Sequence, residues 1–213
     1  MNTISADAVI FDFDGVLAES VEVKTTAFAQ LFAPYGNDIV KQVVQYHLTH
    51  GGISRFEKFH YYYNNLLGKP LSREEETVLG EKFSQLVVEE VVASPWTPGA
   101  EKCLQKWQQT IPLFVASGTP EQELIEIIKR RKMANFFRSV HGSPTHKEEI
   151  IESLLEKYQF SRTRVLMVGD AMTDFNAAKT CNIKFLGRVP KGEENPFPHG
   201  TQTISDLTNL ELV

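Results

Sequence analysis

The sequence predicts a doubly wound α/β fold carrying an inserted helical unit, and three observations lead there. Four short apolar runs, Ala8–Phe11, Leu113–Ala116, Val165–Val168 and Ile183–Leu186, are continuous and bounded by polar residues or glycine. Such runs read as strands buried on both faces of a parallel sheet. Helical patterns over Glu121–Arg131 and Glu148–Tyr158 alternate with the later runs, which places helices against the sheet. Between the first and second runs lies a long stretch of helix-period sequence with no convincing strand.

That stretch divides into candidate helices at Val21–Phe32, Ile39–Leu48, Arg55–Leu67 and Arg73–Val92. Ser54 with Glu57, and Ser72 with Glu75, have the spacing of capping boxes. Gly51-Gly52 and Gly68-Lys69-Pro70 punctuate the segments. The expected division is therefore an α/β core from residues 1–17 and 93–213 and a helical cap from residues 18–92. Roughly 75 residues is enough for a small domain. The core resumes at the proline-rich Pro95-Trp96-Thr97-Pro98-Gly99.

Composition narrows the function classes. The chain has 213 residues, 42% hydrophobic and 23% charged, with a net charge of -5. That balance gives no electrostatic footprint for nucleic acid. Cys103 and Cys181 form no CxxC pair and suggest buried, reduced thiols in a cytoplasmic protein. The N-terminal MNTISADAVIFDFDG lacks a basic leader and its apolar run is broken by acids, so neither a signal peptide nor a membrane span is expected.

Four segments carry chemistry. In Val9-Ile10-Phe11-Asp12-Phe13-Asp14-Gly15 a strand runs into two carboxylates two residues apart. Period-two geometry puts Asp12 and Asp14 on one side of the strand end, and Gly15 permits a sharp turn. Ligands of open α/β sheets bind at such carboxyl ends. In Leu113-Phe114-Val115-Ala116-Ser117-Gly118-Thr119-Pro120, Thr119 and Gln122 fit a capping box, with Pro120 at the first helical position. Ser117 and Gly118 would then offer a hydroxyl and free N–H groups to an anion. In Thr145-His146-Lys147-Glu148 a further capping box would place Lys147 in a first helical turn, where a cation opposes the helix dipole. A nearby anion would offset that. His141 and His146 have no partner at metal-ligand spacing. In Val168-Gly169-Asp170-Ala171-Met172-Thr173-Asp174 a late strand again ends in a carboxylate, with a second at the next helix start. Converging carboxylates repel one another. A hard cation is the natural remedy, and Mg2+ prefers carboxylates, waters and phosphate oxygens.

The order DxDG, Ser-Gly-Thr after an apolar strand, Lys, then GDxxxD resembles the four-motif pattern of haloacid-dehalogenase-superfamily hydrolases. The helical insertion resembles the cap of the phosphoglycolate phosphatase and β-phosphoglucomutase branch. The resemblance implies a phosphatase that works through an aspartyl-phosphate. Asp12 would be the nucleophile and Asp14 the general acid and base. Ser117 and Lys147 would hold the phosphoryl group, with backbone N–H groups near Phe13 and Gly118. Mg2+ would be bound by Asp12, the Asp14 backbone carbonyl, Asp170 and Asp174. The partner implied is a small phosphorylated metabolite, met by a monomer or homodimer.

Asp14 separates the subclasses, since dehalogenases of the superfamily lack an acid there. Mutase activity is the nearer rival, because Gly51-Gly52-Ile53-Ser54-Arg55 resembles a mutase specificity loop. Lys24, however, falls about where mutases carry a histidine. Phosphonate cleavage would need a cap lysine, Lys58 or Lys24, in a pattern this sequence does not resemble. The usual Asp-Ser after the first motif stands as Glu19-Ser20. In the cap, Phe56, Phe59, Tyr63 and Leu66 recur at helical spacing as core positions. Arg55, Lys58 and Tyr62 share a neighbouring face. That face reads either as a solvated basic stripe or as a surface closing over a small anionic substrate.

Overall fold

The computed structural model of the chain describes residues 2–212, so Met1 and Val213, the outer ends of the expected core segments, lie outside the described residues. Eight strands follow in chain order: β1 Asn2–Ile4, β2 Ala8–Phe11, β3 Leu113–Pro120, β4 Ser139–Ser143, β5 Val165–Gly169, β6 Lys184–Arg188, β7 Thr203–Ile204 and β8 Leu210–Leu212. Six form one parallel sheet in the order β4-β3-β2-β5-β6-β7, while β1 and β8 pair separately. The sheet winds outward in both directions from β2, so the switch point falls at its carboxyl end, where an open sheet binds ligands.

The strands alternate their side chains between two layers, as period-two geometry demands. Val9, Phe11, Val115, Leu166 and Val168 enter one core; Ala8, Ile10, Phe114, Val165 and Met167 enter the other. The first includes Cys103, Leu104 and Trp107 of α5 (Ala100–Trp107) and Leu124, Ile127 and Ile128 of α6 (Glu121–Arg130). The second includes Ile150, Ile151 and Leu154 of α7 (Lys147–Tyr158) and Ala177 and Ala178 of α8 (Met172–Thr180). All four expected strands form. The edge strand β4 was not expected, because Ser-Val-His-Gly-Ser lacks an apolar run; only one of its sides is paired.

Between β2 and β3 lie α1 (Val21–Phe32), α2 (Asn37–Thr49), α3 (Arg55–Tyr61) and α4 (Arg73–Ala93). Tyr62–Leu66 continues α3 as a π-helical turn. These helices close around aromatic rings, with the Phe28 and Phe83 centroids 4.4 Å apart and those of Phe32 and Tyr62 5.0 Å apart. Ser72 and Glu75 make the expected capping box on α4. Ser54 does not: its hydroxyl accepts from the Phe56 N–H, and Glu57 does not reach back. Two core arginines grip the far end of α4. Arg131 donates to the carbonyls of Val91, Val92 and Ser94, and Arg130 makes two hydrogen bonds to Glu89. Both cysteines are buried and unpaired. Among the described residues, no helix is long and apolar enough to cross a membrane.

Candidate active site

Two neighbouring strands and the helix that follows the second deliver the acidic half of the site. Asp12 leaves the end of β2, Asp170 follows β5, and Asp174 sits in the first turn of α8. Carboxylate oxygens of these three lie within 4.8 Å of one another. Gly15 allows this approach: its φ is +75°, and a Cβ built there would stand 2.1 Å from Asp170 Oδ2. Asp174 accepts from the Ala171 N–H at 3.1 Å, which anchors it to the helix start.

Lys147 is the cation of this cluster. It occupies the first position of α7, as expected, but His146 rather than Thr145 caps the helix, with no side-chain hydrogen bond. Its Nζ lies 2.5 Å from Asp174 Oδ1 and 3.2 Å from Asp12 Oδ2. Burial works against its charge, yet Asp12 and Asp174 outweigh it and hold the pKa above the ordinary value. One lysine does not neutralise three acids. Burial pushes Asp12 up to about 7, against the pull of Lys147 and helped by Asp174 and Asp14. Asp170 is raised well above its usual range by burial, Asp12 and Asp174. An all-oxygen cluster short of positive charge fits a hard divalent cation.

Asp14 is treated differently. Its Oδ1 accepts from Ser20 Oγ at 2.6 Å, and its Oδ2 accepts from Lys24 and, at 3.1 Å, from Thr119 Oγ1. Burial opposes ionisation most strongly, but Lys24 above all, then Ser20 and Thr119, outweigh it and hold the carboxyl below its usual range. Thr119 is therefore not the helix cap that the sequence suggested. β3 runs on through Pro120, and the Thr119 hydroxyl turns to Asp14 and Lys24 instead. Glu19 also gains a role, since it pairs with buried Arg188, which donates as well to the Gly15 carbonyl at 2.7 Å.

Ser117 is buried and accepts from the Thr119 N–H at 3.2 Å. Gly118 lies under the cap: a Cβ there would meet the Gly52 carbonyl oxygen at 2.5 Å. Thr173 donates to the Gly51 carbonyl at 2.8 Å, so the Gly51-Gly52 loop rests on the core beside Lys147. The Phe13 N–H donates to Asp12 Oδ1 at 2.7 Å and so faces the carboxylate itself.

Arg55 and Lys58 are not a solvated stripe. Both are buried, with Tyr62 beside them. Arg55 makes a two-pronged pair with Glu123, a residue of core helix α6, and donates to Ser84 of α4 at 3.0 Å. Lys58 Nζ lies 2.8 Å from His47 Nδ1. Two small cavities flank Ser117 and Gly118. One, of about 150 Å³, lies between the Gly52–Ser54 loop and Lys147; the other, of about 60 Å³, is lined by Asp12, Asp14, Lys24, His47, Arg55 and Lys58 among others. His47 and Glu123 had no motif to announce them, because contacts with other elements give them their places, and the motif residues Ser20 and Thr119 gave no sign that their hydroxyls would meet Asp14.

The chain matches the family model of the haloacid dehalogenase-like hydrolases over residues 9–188, and it belongs to that family. Its curated relatives and structural neighbours include phosphoglycolate phosphatases, a phosphorylated-carbohydrate phosphatase and a β-phosphoglucomutase. It is 24% identical to the phosphoglycolate phosphatase of Pseudomonas savastanoi pv. phaseolicola, over 95% of this chain and 77% of that one. The β-phosphoglucomutase of Clostridium difficile superposes with a TM-score of 0.76 at 19% identity, covering 95% of this chain and 92% of that one. The HAD-hydrolase YfnB of Bacillus subtilis, solved bound to magnesium, superposes with a TM-score of 0.69 at 19% identity, covering 95% and 96%.

Proposed function

We propose that the protein is a Mg2+-dependent phosphatase that hydrolyses a small phosphomonoester, a sugar phosphate or a phosphorylated organic acid, through an aspartyl-phosphate. The observation that carries this is the convergence of buried Asp12 and Asp174 and half-buried Asp170, the first two paired with Lys147, beside Asp14 and Ser117, at the carboxyl edge of the sheet. A divalent cation held by Asp12, Asp170, Asp174 and the Asp14 backbone carbonyl would offset the charge of the phosphate and of the carboxylates.

In this reading Asp12 attacks phosphorus, and its oxygen–phosphorus bond forms as the ester bond breaks. Asp14, ionised in the resting site, takes up a proton as the substrate monoester binds and hands it to the leaving alkoxide. It then takes a proton from the water that attacks phosphorus, and Asp12 and inorganic phosphate are released. Lys147, Ser117 and the Gly118 N–H hold the transferring oxygens, and the Phe13 N–H turns to them or stays on Asp12. Lys24 holds Asp14 in place through the first steps. Residues 18–92 act as a cap that opens and closes on a core of residues 1–17 and 93–213. A closed cap admits only small substrates. A cytoplasmic setting, with both thiols reduced, belongs to the same reading.

Lys24, which donates to Asp14, stands about where the resemblance puts a mutase histidine, and that departure favours hydrolysis over the mutase alternative. The test is turnover of a panel of sugar phosphates and phospho-acids with Mg2+, beside Asp12→Asn. Phosphate release that persists in Asp12→Asn, or that ignores chelation, sinks the mechanism. An isomerised phosphate ester among the products would move the reading to the mutase.

A further inference from the structure

We propose that Lys58, oriented by His47, seats a second anionic group of the substrate, so that the leaving group is a short hydroxy acid and not an uncharged sugar. This rests on the phosphatase reading above and specifies its substrate.

Three cations line the smaller cavity beside Asp12 and Asp14: Lys24, Arg55 and Lys58. Two of them already have carboxylate partners, Asp14 for Lys24 and Glu123 for Arg55. Lys58 has none among the described residues, although it is 2% exposed. Its Nζ meets only a neutral nitrogen, His47 Nδ1 at 2.8 Å, the His47 carbonyl at 3.5 Å, and the Phe28 ring at 5.6 Å. An ammonium has three N–H donors, so this shell leaves one unsatisfied. A charge is not buried without partners unless something else brings one.

His47 points the same way. Its Nδ1 accepts from Lys58, so the ring is the tautomer with hydrogen on Nε2. That Nε2 is buried and has no hydrogen-bond partner; the Val21 carbonyl raises the ring's basicity slightly without reaching it in hydrogen-bond geometry. Burial, then Lys58 and Lys24, push the histidine down to about 3, so it stays neutral and cannot itself repel Lys58. Burial, then Lys24, push Lys58 down to about 7 against the pull of Asp14 and Glu57. An anion docked on Lys58 would restore its proton.

Position sets the rest. Lys58 lines the same cavity of about 60 Å³ as Asp12 and Asp14, so a carboxylate that meets it is joined by a short chain to a phosphate held there, and supplies the missing counter-charge.

The experiment compares kcat/KM for phosphoglycolate and for its uncharged analogue 2-hydroxyethyl phosphate, with Mg2+. Wild type should prefer the acid by roughly 10- to 100-fold, the value of one or two charge-assisted hydrogen bonds. In Lys58→Met that preference should fall to within about threefold of unity. His47→Ala should raise KM for the acid more than it lowers kcat, as expected of a positioning residue. Calorimetric binding of both esters to Asp12→Asn, with and without Lys58→Met, gives the same comparison without turnover. A wild type that treats the two esters alike, or a preference that survives Lys58→Met, overturns the proposal. Hydrolysis of neither ester, nor of any panel phosphate, removes the phosphatase reading and the proposal with it.

Discussion

The two walls of the site are charged in opposite senses, and each is left incomplete. The core wall gathers Asp12, Asp170 and Asp174 around one lysine, so it lacks positive charge. The cap wall gathers Lys24, Lys58 and His47 beneath aromatic rings, so it lacks negative charge. On the core wall burial first, and then neighbouring carboxylates, lift carboxylate pKa values; on the cap wall burial first, and then neighbouring amines, lower those of an amine and an imidazole. Both are the response of buried ionisable groups short of a counter-charge. A cation on one side and a substrate anion on the other would complete both walls at once. On the proposed reading, the difference teaches that the core wall would serve the chemistry and the cap wall the choice of substrate.

The largest effect should come from the core wall. Asp12→Asn removes the nucleophile and should lower kcat by at least about 10⁴-fold, read by phosphate release under single-turnover conditions. Asp14→Asn should follow with about 10²- to 10⁴-fold, the usual contribution of a general acid–base. If Asp14→Asn proves as severe as Asp12→Asn for an ester with an acidic leaving group, the proton-transfer role is wrong, since such a group needs no acid.

How much of this was legible in the sequence follows the same divide. Each residue of the core wall has a local signal: it follows an apolar strand or starts a helix, and strand and helix patterns report those places. Asp12, Ser117, Lys147, Asp170 and Asp174 were read from that pattern, and the structure brings them together. Thr119 was misread as a cap because Thr-Pro-Glu-Gln has the local look of a helix start. Its actual partners, Asp14 and Lys24, lie 105 and 95 residues away. Arg55, Lys58 and Tyr62 were seen to share a face, but helical periodicity does not say what covers that face. Glu123 and His47, which decide the state of Arg55 and Lys58, sit on other elements at separations of 68 and 11 residues. Pairings of that kind are set by tertiary packing and leave no local signal.

Next in size is the contact that joins the walls. Arg55 and Glu123 are 4% and 11% exposed at their side chains, and Ser84 donates to the same carboxylate at 2.5 Å. Glu123→Ala leaves a buried guanidinium without its partner, so it should cost about 3 kcal/mol. For a chain of this length that is roughly 6–12 °C in Tm. Because Arg55 belongs to the cap and Glu123 to the core, the loss should also loosen the cap, seen as faster amide exchange in α3. A melt within a degree of wild type would mean that the pair contributes nothing to closure.

The smallest effect has the opposite sign and sharpens the contrast most. Lys58 is a buried ammonium facing His47, Lys24, Asp14, Glu57 and Lys147, with its pKa near 7 in the folded chain. In the unfolded chain it titrates as an ordinary lysine near 10.5. Below pH 7 the group is charged in both states, and folding bears the full penalty of burying it. Between pH 7 and about 10.5 the folded state sheds the proton that the unfolded state keeps, so this group's contribution to stability rises with pH. Lys58→Met removes the penalty at every pH. It should raise Tm by roughly 4–8 °C at pH 6, for a gain of about 2 kcal/mol once relaxation of the charged site is allowed for. The gain should shrink steadily toward pH 10 in a series of thermal melts. A variant that is less stable than wild type at pH 6 would show that Lys58 is already satisfied in the folded chain, and the cap wall would then need no anion to complete it.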